Sequence, residues 1–251
     1  IFLLLFNYSF SQETVFELLN ANQTGVEFNN VIEDKKEHNI LLYANYYGGS
    51  GVGIADFDND GLQDLYFGGN LVADKIYRNL GGFKFTDKTI SSGINDNGSW
   101  SSGITIADVN NDGLLDVYVS KELYDDKPEL RRNKLYINKG DFTFEESSRK
   151  WGVDVSARTR HAVFFDYNND GYLDLYLLNQ PPNPGSYSKF FGSDLTLPEY
   201  SLQLFKNTGN NSFIDVTQEA GLNRTGFPNS VVASDLNQDG YVDLYVANDF
   251  D

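Results

Sequence analysis

Four stretches of the chain set oxygen-bearing side chains on alternate residues, a spacing that suits a hard cation. They are Asp56–Tyr66 (DFDNDGLQDLY), Asp108–Tyr118 (DVNNDGLLDVY), Asp166–Tyr176 (DYNNDGYLDLY) and Asp235–Tyr245 (DLNQDGYVDLY). With the first Asp as position 1, positions 1, 3, 5 and 9 carry Asp56, Asp58, Asp60 and Asp64 in loop 1, and Asp108, Asn110, Asp112 and Asp116 in loop 2. In loop 3 they carry Asp166, Asn168, Asp170 and Asp174, and in loop 4 Asp235, Asn237, Asp239 and Asp243. Oxygens at this spacing converge on one point when the chain curls tightly, and the Gly at position 6 permits the curl. The backbone carbonyl at position 7 (Leu62, Leu114, Tyr172 or Tyr241) offers a further donor. A flexible all-oxygen set suits Ca2+ better than Mg2+, which demands near-ideal octahedral geometry. The alternative is a tight hairpin capped by Asx side chains with no ion. Retention of the ninth-position Asp in all four copies favours the ion. An EF-hand is excluded, because position 12 is Phe67, Val119, Leu177 or Val246 instead of Glu, within a strand pattern.

These loops sit inside a longer repeat. Their starts are 52, 58 and 69 residues apart, a period typical of stacked supersecondary units. After the loops come Lys75–Asn79, Lys134–Asn138 and Gln203–Asn207. Next come Phe83–Thr86, Phe142–Glu145 and Ser212–Asp215, each running on to Gly93-Ile94, Gly152-Val153 or Gly221-Leu222. Each unit therefore reads as four short strands, with the Asp loop between the first two. The second strand is almost continuously apolar, as in Val117-Tyr118-Val119, which implies burial on both faces. Small four-stranded sheets set radially about an axis have that property, so the expected class is all-β, a β-propeller. A β-sandwich or a parallel β-helix fits the period less well. Inserted loops lengthen the second unit around Lys121–Arg132 and the third around Asn179–Tyr200, where Tyr187, Phe190, Phe191 and Tyr200 form a candidate binding loop.

Composition narrows the function. The chain has 251 residues, 36 acidic against 19 basic, and a formal charge of −17. That charge argues against nucleic acid and against anionic membrane surfaces. Thirteen of the acidic residues lie in the four loops, so the acidity is placed and not merely spread over a solvated surface. Clustered carboxylates repel one another without an ion, which couples folding to binding. There is no Cys, hence no disulfide or thiolate chemistry, and only His38 and His161 are present, too few for a His-rich zinc site. His161 follows Arg158 and Arg160, which offers an anionic-substrate site as one reading and packing as the other. No nucleophile elbow, His-Glu zinc motif or phosphate loop occurs. Residues 1–12 read as the end of a signal peptide, with cleavage near Ser11 or Gln12, and no stretch is long and apolar enough to span a bilayer.

The loops, the Asn133–Asn138 run, Thr24–Phe28, Tyr43 and the Gly48–Val52 stretch resemble the FG-GAP or VCBS repeats of integrin-like β-propellers. The resemblance is closer to the cartilage-acidic-protein and ASPIC/UnbV group of secreted proteins, and it covers about residues 13–251. It implies a seven-bladed propeller with Ca2+ in the blade loops, and often a following ASPIC/UnbV domain. Gly48-Gly49 and Gly68-Gly69 match the name motif only in part. On this reading, residues 13–49 form a closing strand and lead-in. Blades occupy about 50–99, 100–157 and 158–226, with a fourth begun at 227–251 and the chain expected to be part of a longer protein. Val15–Leu19 followed by Gly25 resembles a fourth strand, the outer strand of a blade completed by another part of the ring. The function expected is a secreted, periplasmic or cell-surface interaction module with a protein or glycan ligand. The alternative is a polysaccharide-active hydrolase or lyase on the same scaffold.

Overall fold

In the computed structural model, residues 16–43, 45–96, 98–124, 126–181 and 200–249 are described. The signal-like stretch, Val15, and residues 182–199 of the third insertion, with Tyr187, Phe190 and Phe191 of the candidate binding loop, lie outside them. Three antiparallel four-stranded sheets and one hairpin follow in chain order among these residues. The first sheet is β1 (Val52–Ala55), β2 (Asp64–Phe67), β3 (Lys75–Asn79) and β4 (Phe85–Asp87). The second is β5 (Trp100–Ala107), β6 (Asp116–Glu122), β7 (Lys134–Asn138) and β8 (Phe144–Glu146). The third is β9 (Arg158–Phe165), β10 (Asp174–Gln180), β11 (Gln203–Asn207) and β12 (Phe213–Asp215), and the hairpin is β13 (Pro228–Ser234) with β14 (Asp243–Asn248). Every sheet runs in simple meander order with antiparallel pairing, which excludes a parallel β-helix.

The repeated four-stranded sheets are consistent with propeller blades, and their first strands lie along one another. Ser102 Oγ donates to the Thr159 carbonyl at 2.6 Å and Thr105 Oγ1 to the Ala162 carbonyl at 2.9 Å, both from β5 to β9. The apolar second strand is explained by this stacking. β6 and β10, each with a sheet on both sides, are buried at every residue, whereas β2 alternates and β14 is largely open. Separate cores fill the spaces between successive sheets, one centred on Phe57, Tyr66, Ile76 and Tyr136, the next on Tyr118, Leu135, Trp151 and Phe213, and a third on Tyr176, Leu178 and Leu204, while Tyr43, Tyr46, Trp100 and Leu123 form a fourth cluster under the lead-in.

The fourth strands are shorter at the start than the Phe-x-Phe pattern suggests. Phe83 and Phe142 belong to the preceding turn, held at φ of 57° and 60°, and only Phe85 and Phe144 enter the strand. The turn forces this: Leu80 N–H reaches back to the Lys84 carbonyl across Gly81-Gly82. A one-turn helix follows each of the first two fourth strands, α2 (Thr89–Ser92) and α3 (Ser148–Trp151), and each ends in a left-handed Gly, Gly93 or Gly152.

Near the N-terminus, Phe16 and Leu18 are exposed and form no strand. The residues after them nevertheless repeat the pattern: α1 (Ala21–Thr24), capped by Asn20, ends in Gly25 at φ 80°. A Cβ at Gly25 would lie 2.4 Å from the Phe85 carbonyl oxygen; at Gly93 it would meet that of Phe144, and at Gly152 that of Phe213. Gly25 thus sits on the first sheet as Gly93 sits on the second and Gly152 on the third. The lead-in then crosses the strand ends remote from the Asp loops. Asn30 exchanges hydrogen bonds with Asn70, Tyr43 donates to Glu122, and Asn45 Nδ2 reaches Gln180 Oε1 at 3.3 Å.

Candidate metal centres

Each Asp loop is built by the same set of local hydrogen bonds, beginning with position 1. Asp56 Oδ1 and Oδ2 accept the backbone N–H groups of Asp60 (3.0 Å) and Gly61 (2.7 Å), and Asp60 Oδ1 accepts that of Leu62 (2.9 Å). Asp108, Asp166 and Asp235 make the same pair of bonds, and Asp112, Asp170 and Asp239 the same third one. The position-7 residues Leu62, Leu114, Tyr172 and Tyr241 are thereby fixed through their own N–H. The Asx-capped hairpin is present, and it is the frame that curls the donors inward. Two residues per loop hold positive φ: Gly61, Gly113, Gly171 and Gly240 at 84° to 88°, and Asn59, Asn111, Asn169 and Gln238 at 56° to 63°.

The ninth-position Asp does double duty. Asp64 is fully buried; its Oδ2 accepts the Phe57 N–H at 2.9 Å and its Oδ1 the Asn79 N–H at 2.7 Å, joining the loop to the third strand. Asp116 takes Val109 and Asn138 in the same way, Asp174 takes Tyr167 and Asn207, and Asp243 accepts from Leu236. Burial pushes these carboxyls up, to about 6 in Asp64, about 7 in Asp116 and about 6 in Asp174.

In loop 1 the carboxylates of Asp56, Asp58 and Asp64 come together, with one oxygen of each within 4.8 Å of the others. Asp58 Oδ1 is buried there without a hydrogen-bond partner among the described residues. A buried, unpartnered oxygen on one of three clustered carboxylates is unfavourable unless a cation joins them. Arg78, beside Asp58 and Asp60, brings one positive charge to the four carboxylates of this loop, and the residues present fit a divalent cation that would offset the rest. In loops 2 to 4 the third position is Asn, whose Nδ2 donates to the position-5 carboxylate at 2.8 to 3.0 Å.

Sequence reasoning missed the residues that tie one loop to the next. Asn59 Nδ2 donates to the Gly113 carbonyl at 3.2 Å, Asn111 to that of Gly171 at 3.1 Å, and Asn169 to that of Gly240 at 2.9 Å. A position-4 side chain thus grips position 6 of the following loop, three times in succession. The Asn that ends the third strand has a similar reach. Asn138 Nδ2 donates to the Phe57 carbonyl of the preceding sheet at 2.8 Å, and Asn207 to that of Val109 at 2.8 Å. Both sets recur in the sequence; the recurrence was the signal, and its partners in other units were not.

His161, Arg158 and Arg160 belong to a seam between sheets. His161 Nδ1 lies 2.8 Å from where a Gly103 Cβ would be, Arg160 pairs with buried Glu122 at 3.4 Å, and Arg158 is buried.

A profile of the FG-GAP-like repeat matches residues 56–119, 125–177 and 194–246, more than half of the chain. The chain belongs to the FG-GAP-like repeat family. Each matched segment opens at or near an Asp loop or the insertion before a third strand. Among its relatives, cartilage acidic protein 1 of Xenopus tropicalis is 25% identical over 136 residues, covering 53% of this chain and 20% of that protein. Integrin alpha-8 of Gallus gallus is 27% identical over 186 residues, covering 67% of this chain and 16% of its own length. The chain spans about a fifth or less of the length of these relatives. A solved Agrocybe aegerita lectin, which recognises non-reducing terminal N-acetylglucosamine, aligns with a TM-score of 0.46 at 17% identity. That alignment covers 78% of this chain and 46% of the lectin. No helix of the described residues is long and apolar enough to cross a membrane.

Proposed function

We propose that this chain is part of a Ca2+-stabilised β-propeller that serves as an interaction module of a secreted, periplasmic or cell-surface protein, with a protein or glycan as ligand. The observation that carries the reading is the convergence of the Asp56, Asp58 and Asp64 carboxylates, with Asp58 Oδ1 buried and unpartnered among the described residues, in a loop architecture repeated four times. Ca2+ is the ion because the donors are all oxygen and the loop is a flexible hairpin. In each loop the ligands are the side chains at positions 1, 3, 5 and 9 and the carbonyl at position 7. Family membership and the likeness to cartilage acidic protein 1 and integrin alpha-8 support the interaction role.

Blades fall at about 50–99, 100–157 and 158–226, with a fourth begun at 227–251, in a ring of seven. Residues 13–49 supply the outer strand of one further blade and a lead-in across the ring. The seat of Gly25 on Phe85, equivalent to Gly93 on Phe144, supports that assignment. The chain carries no catalytic activity of its own: its regular carboxylate clusters are accounted for by the loops, and His161 and Arg160 by the seam.

Thermal melts of chelator-stripped protein with Ca2+ or Mg2+ test the metal assignment. Ca2+ raises the midpoint well above Mg2+, and Asp60→Ala, Asp112→Ala, Asp170→Ala and Asp239→Ala each remove part of that rise. A midpoint indifferent to Ca2+ rejects it. Turnover of a polysaccharide, ester or phosphoester abolished by His161→Ala would reject the non-catalytic assignment.

A further inference from the structure

Loops 1 and 2 share a frame but balance their charge differently. The residue just before the third-strand Asn is Arg78 beside loop 1, Ile137 beside loop 2 and Lys206 beside loop 3. Arg78 Nε lies 2.5 Å from Asp58 Oδ2 and its Nη2 lies 3.1 Å from Asp60 Oδ2. Lys206 Nζ lies 3.2 Å from Asp170 Oδ2. Ile137 is buried in the core, and among the described residues no Lys or Arg forms an ion pair with Asp108, Asp112 or Asp116.

Arg78 also performs a task that the other loops give to their third residue. In loops 2 to 4 an Asn amide donates to the position-5 carboxylate. Asp58 has no N–H to donate, and Arg78 Nη2 donates to Asp60 Oδ2 in its place. The guanidinium pairs with Oδ2 of both Asp58 and Asp60, the first as an ion pair without hydrogen-bond geometry, while Asp58 Oδ1 stays buried and unpartnered among the described residues. A planar fork on two carboxylates both orients them and offsets their repulsion.

We infer that Arg78 is a tethered counter-ion that offsets the extra carboxylate of loop 1, Asp58, and replaces the Asn tie, so that without metal loop 1 stays as closed as loop 2 and opens once Arg78 is removed. Loop 1 sets Arg78 against four carboxylates and loop 2 has three carboxylates with Asn110, so the two loops carry the same net charge. The inference rests on the reading of the loops as Ca2+ sites and adds a guard residue to the one loop with Asp at position 3. Arg78 is a positioning residue here, acting through Asp58 and Asp60.

Hydrogen exchange resolved to the loop peptides tests it, on the chain in excess chelator and in saturating Ca2+. In chelator, the amides of Asp60, Gly61 and Leu62 exchange like those of Asp112, Gly113 and Leu114; in Ca2+ both loops are protected. Arg78→Gln makes loop 1 exchange at least tenfold faster than loop 2 in chelator and leaves it protected in Ca2+, and Arg78→Lys restores part of the lost protection. An Arg78→Gln loop 1 that stays protected in chelator, or a substitution that speeds loop 2 as much as loop 1, overturns the inference. If Ca2+ protects neither loop in any variant, the Ca2+ reading itself fails, an outcome distinct from the other two.

Discussion

Asn138→Ala gives a direct measure of how firmly successive sheets are joined. Asn138 is buried, and its side chain makes three hydrogen bonds: Nδ2 to the Phe57 carbonyl at 2.8 Å and the Leu115 carbonyl at 3.1 Å, and Oδ1 from the Gly140 N–H at 3.0 Å. At about 1 kcal/mol each, with a surcharge for the buried Phe57 carbonyl left unpaired, the loss comes to about 4 kcal/mol. The equivalent residue Asn79 is half-buried, and its Nδ2 bonds only Gln63 of its own loop, at 2.7 Å, with Gly81 N–H on its Oδ1. Asn79→Ala should therefore cost about 2 kcal/mol. The difference, about 2 kcal/mol, is the cross-sheet bond. Urea unfolding in saturating Ca2+ reads it: with an m-value of about 3 kcal/mol per M, Asn138→Ala lowers the midpoint by about 1.3 M and Asn79→Ala by about half that. Equal shifts for the two variants would refute the claim that the third-strand Asn fastens one sheet to the preceding one.

Other outcomes follow from the same geometry. Asn111→Gly keeps the positive φ at position 4 but deletes the bond to Gly171, so Ca2+ titration curves should become less steep while the affinity of an isolated loop holds; an unchanged slope counts against coupling between loops. Burial raises the carboxyl of Glu122, against the opposing pull of Arg160, the Tyr43 hydroxyl and Arg158. Its folded pKa therefore lies above the unfolded value of about 4.3, and its contribution to stability grows as pH falls through the folded value and is lost as pH rises. Denaturant melts at several pH values should show wild type gaining on Glu122→Gln with acidification; a constant difference removes that assignment. The buried ion pair of Lys121 with Asp74, at 3.5 Å, has Ser101 Oγ as a further Lys121 partner at 2.7 Å. Lys121→Met should destabilise by about 3 kcal/mol or more in thermal melts, because Asp74 is left buried beside Asp96; a loss under about 1 kcal/mol would contradict this.

The loops and the four-strand unit were legible because both are local: the alternation of Asp and Asn fixes a curl within a few residues. Family membership followed from the same repeated residues. Less could be read where the partner lies in another unit. Nothing near Asn59 in the chain points to Gly113, and nothing near Asn138 points to Phe57. The Phe-x-Phe pattern misplaced the start of the fourth strand, since its first aromatic sits at positive φ in the turn, a position an aromatic seldom takes. Arg78 escaped notice for a different reason. Its strand position holds Arg, Ile and Lys in successive units, so repeat logic treats it as variable, while charge logic ties it to the one loop with Asp at position 3.

Calorimetric titration of the chelator-stripped chain, with Ca2+ and separately with Mg2+, bears most directly on the account. Close to four Ca2+ per chain should bind, one for each loop, with Mg2+ binding weakly and stabilising little. Fewer than two Ca2+ sites, or equal stabilisation by Mg2+, would contradict the reading of the four Asp loops as calcium sites.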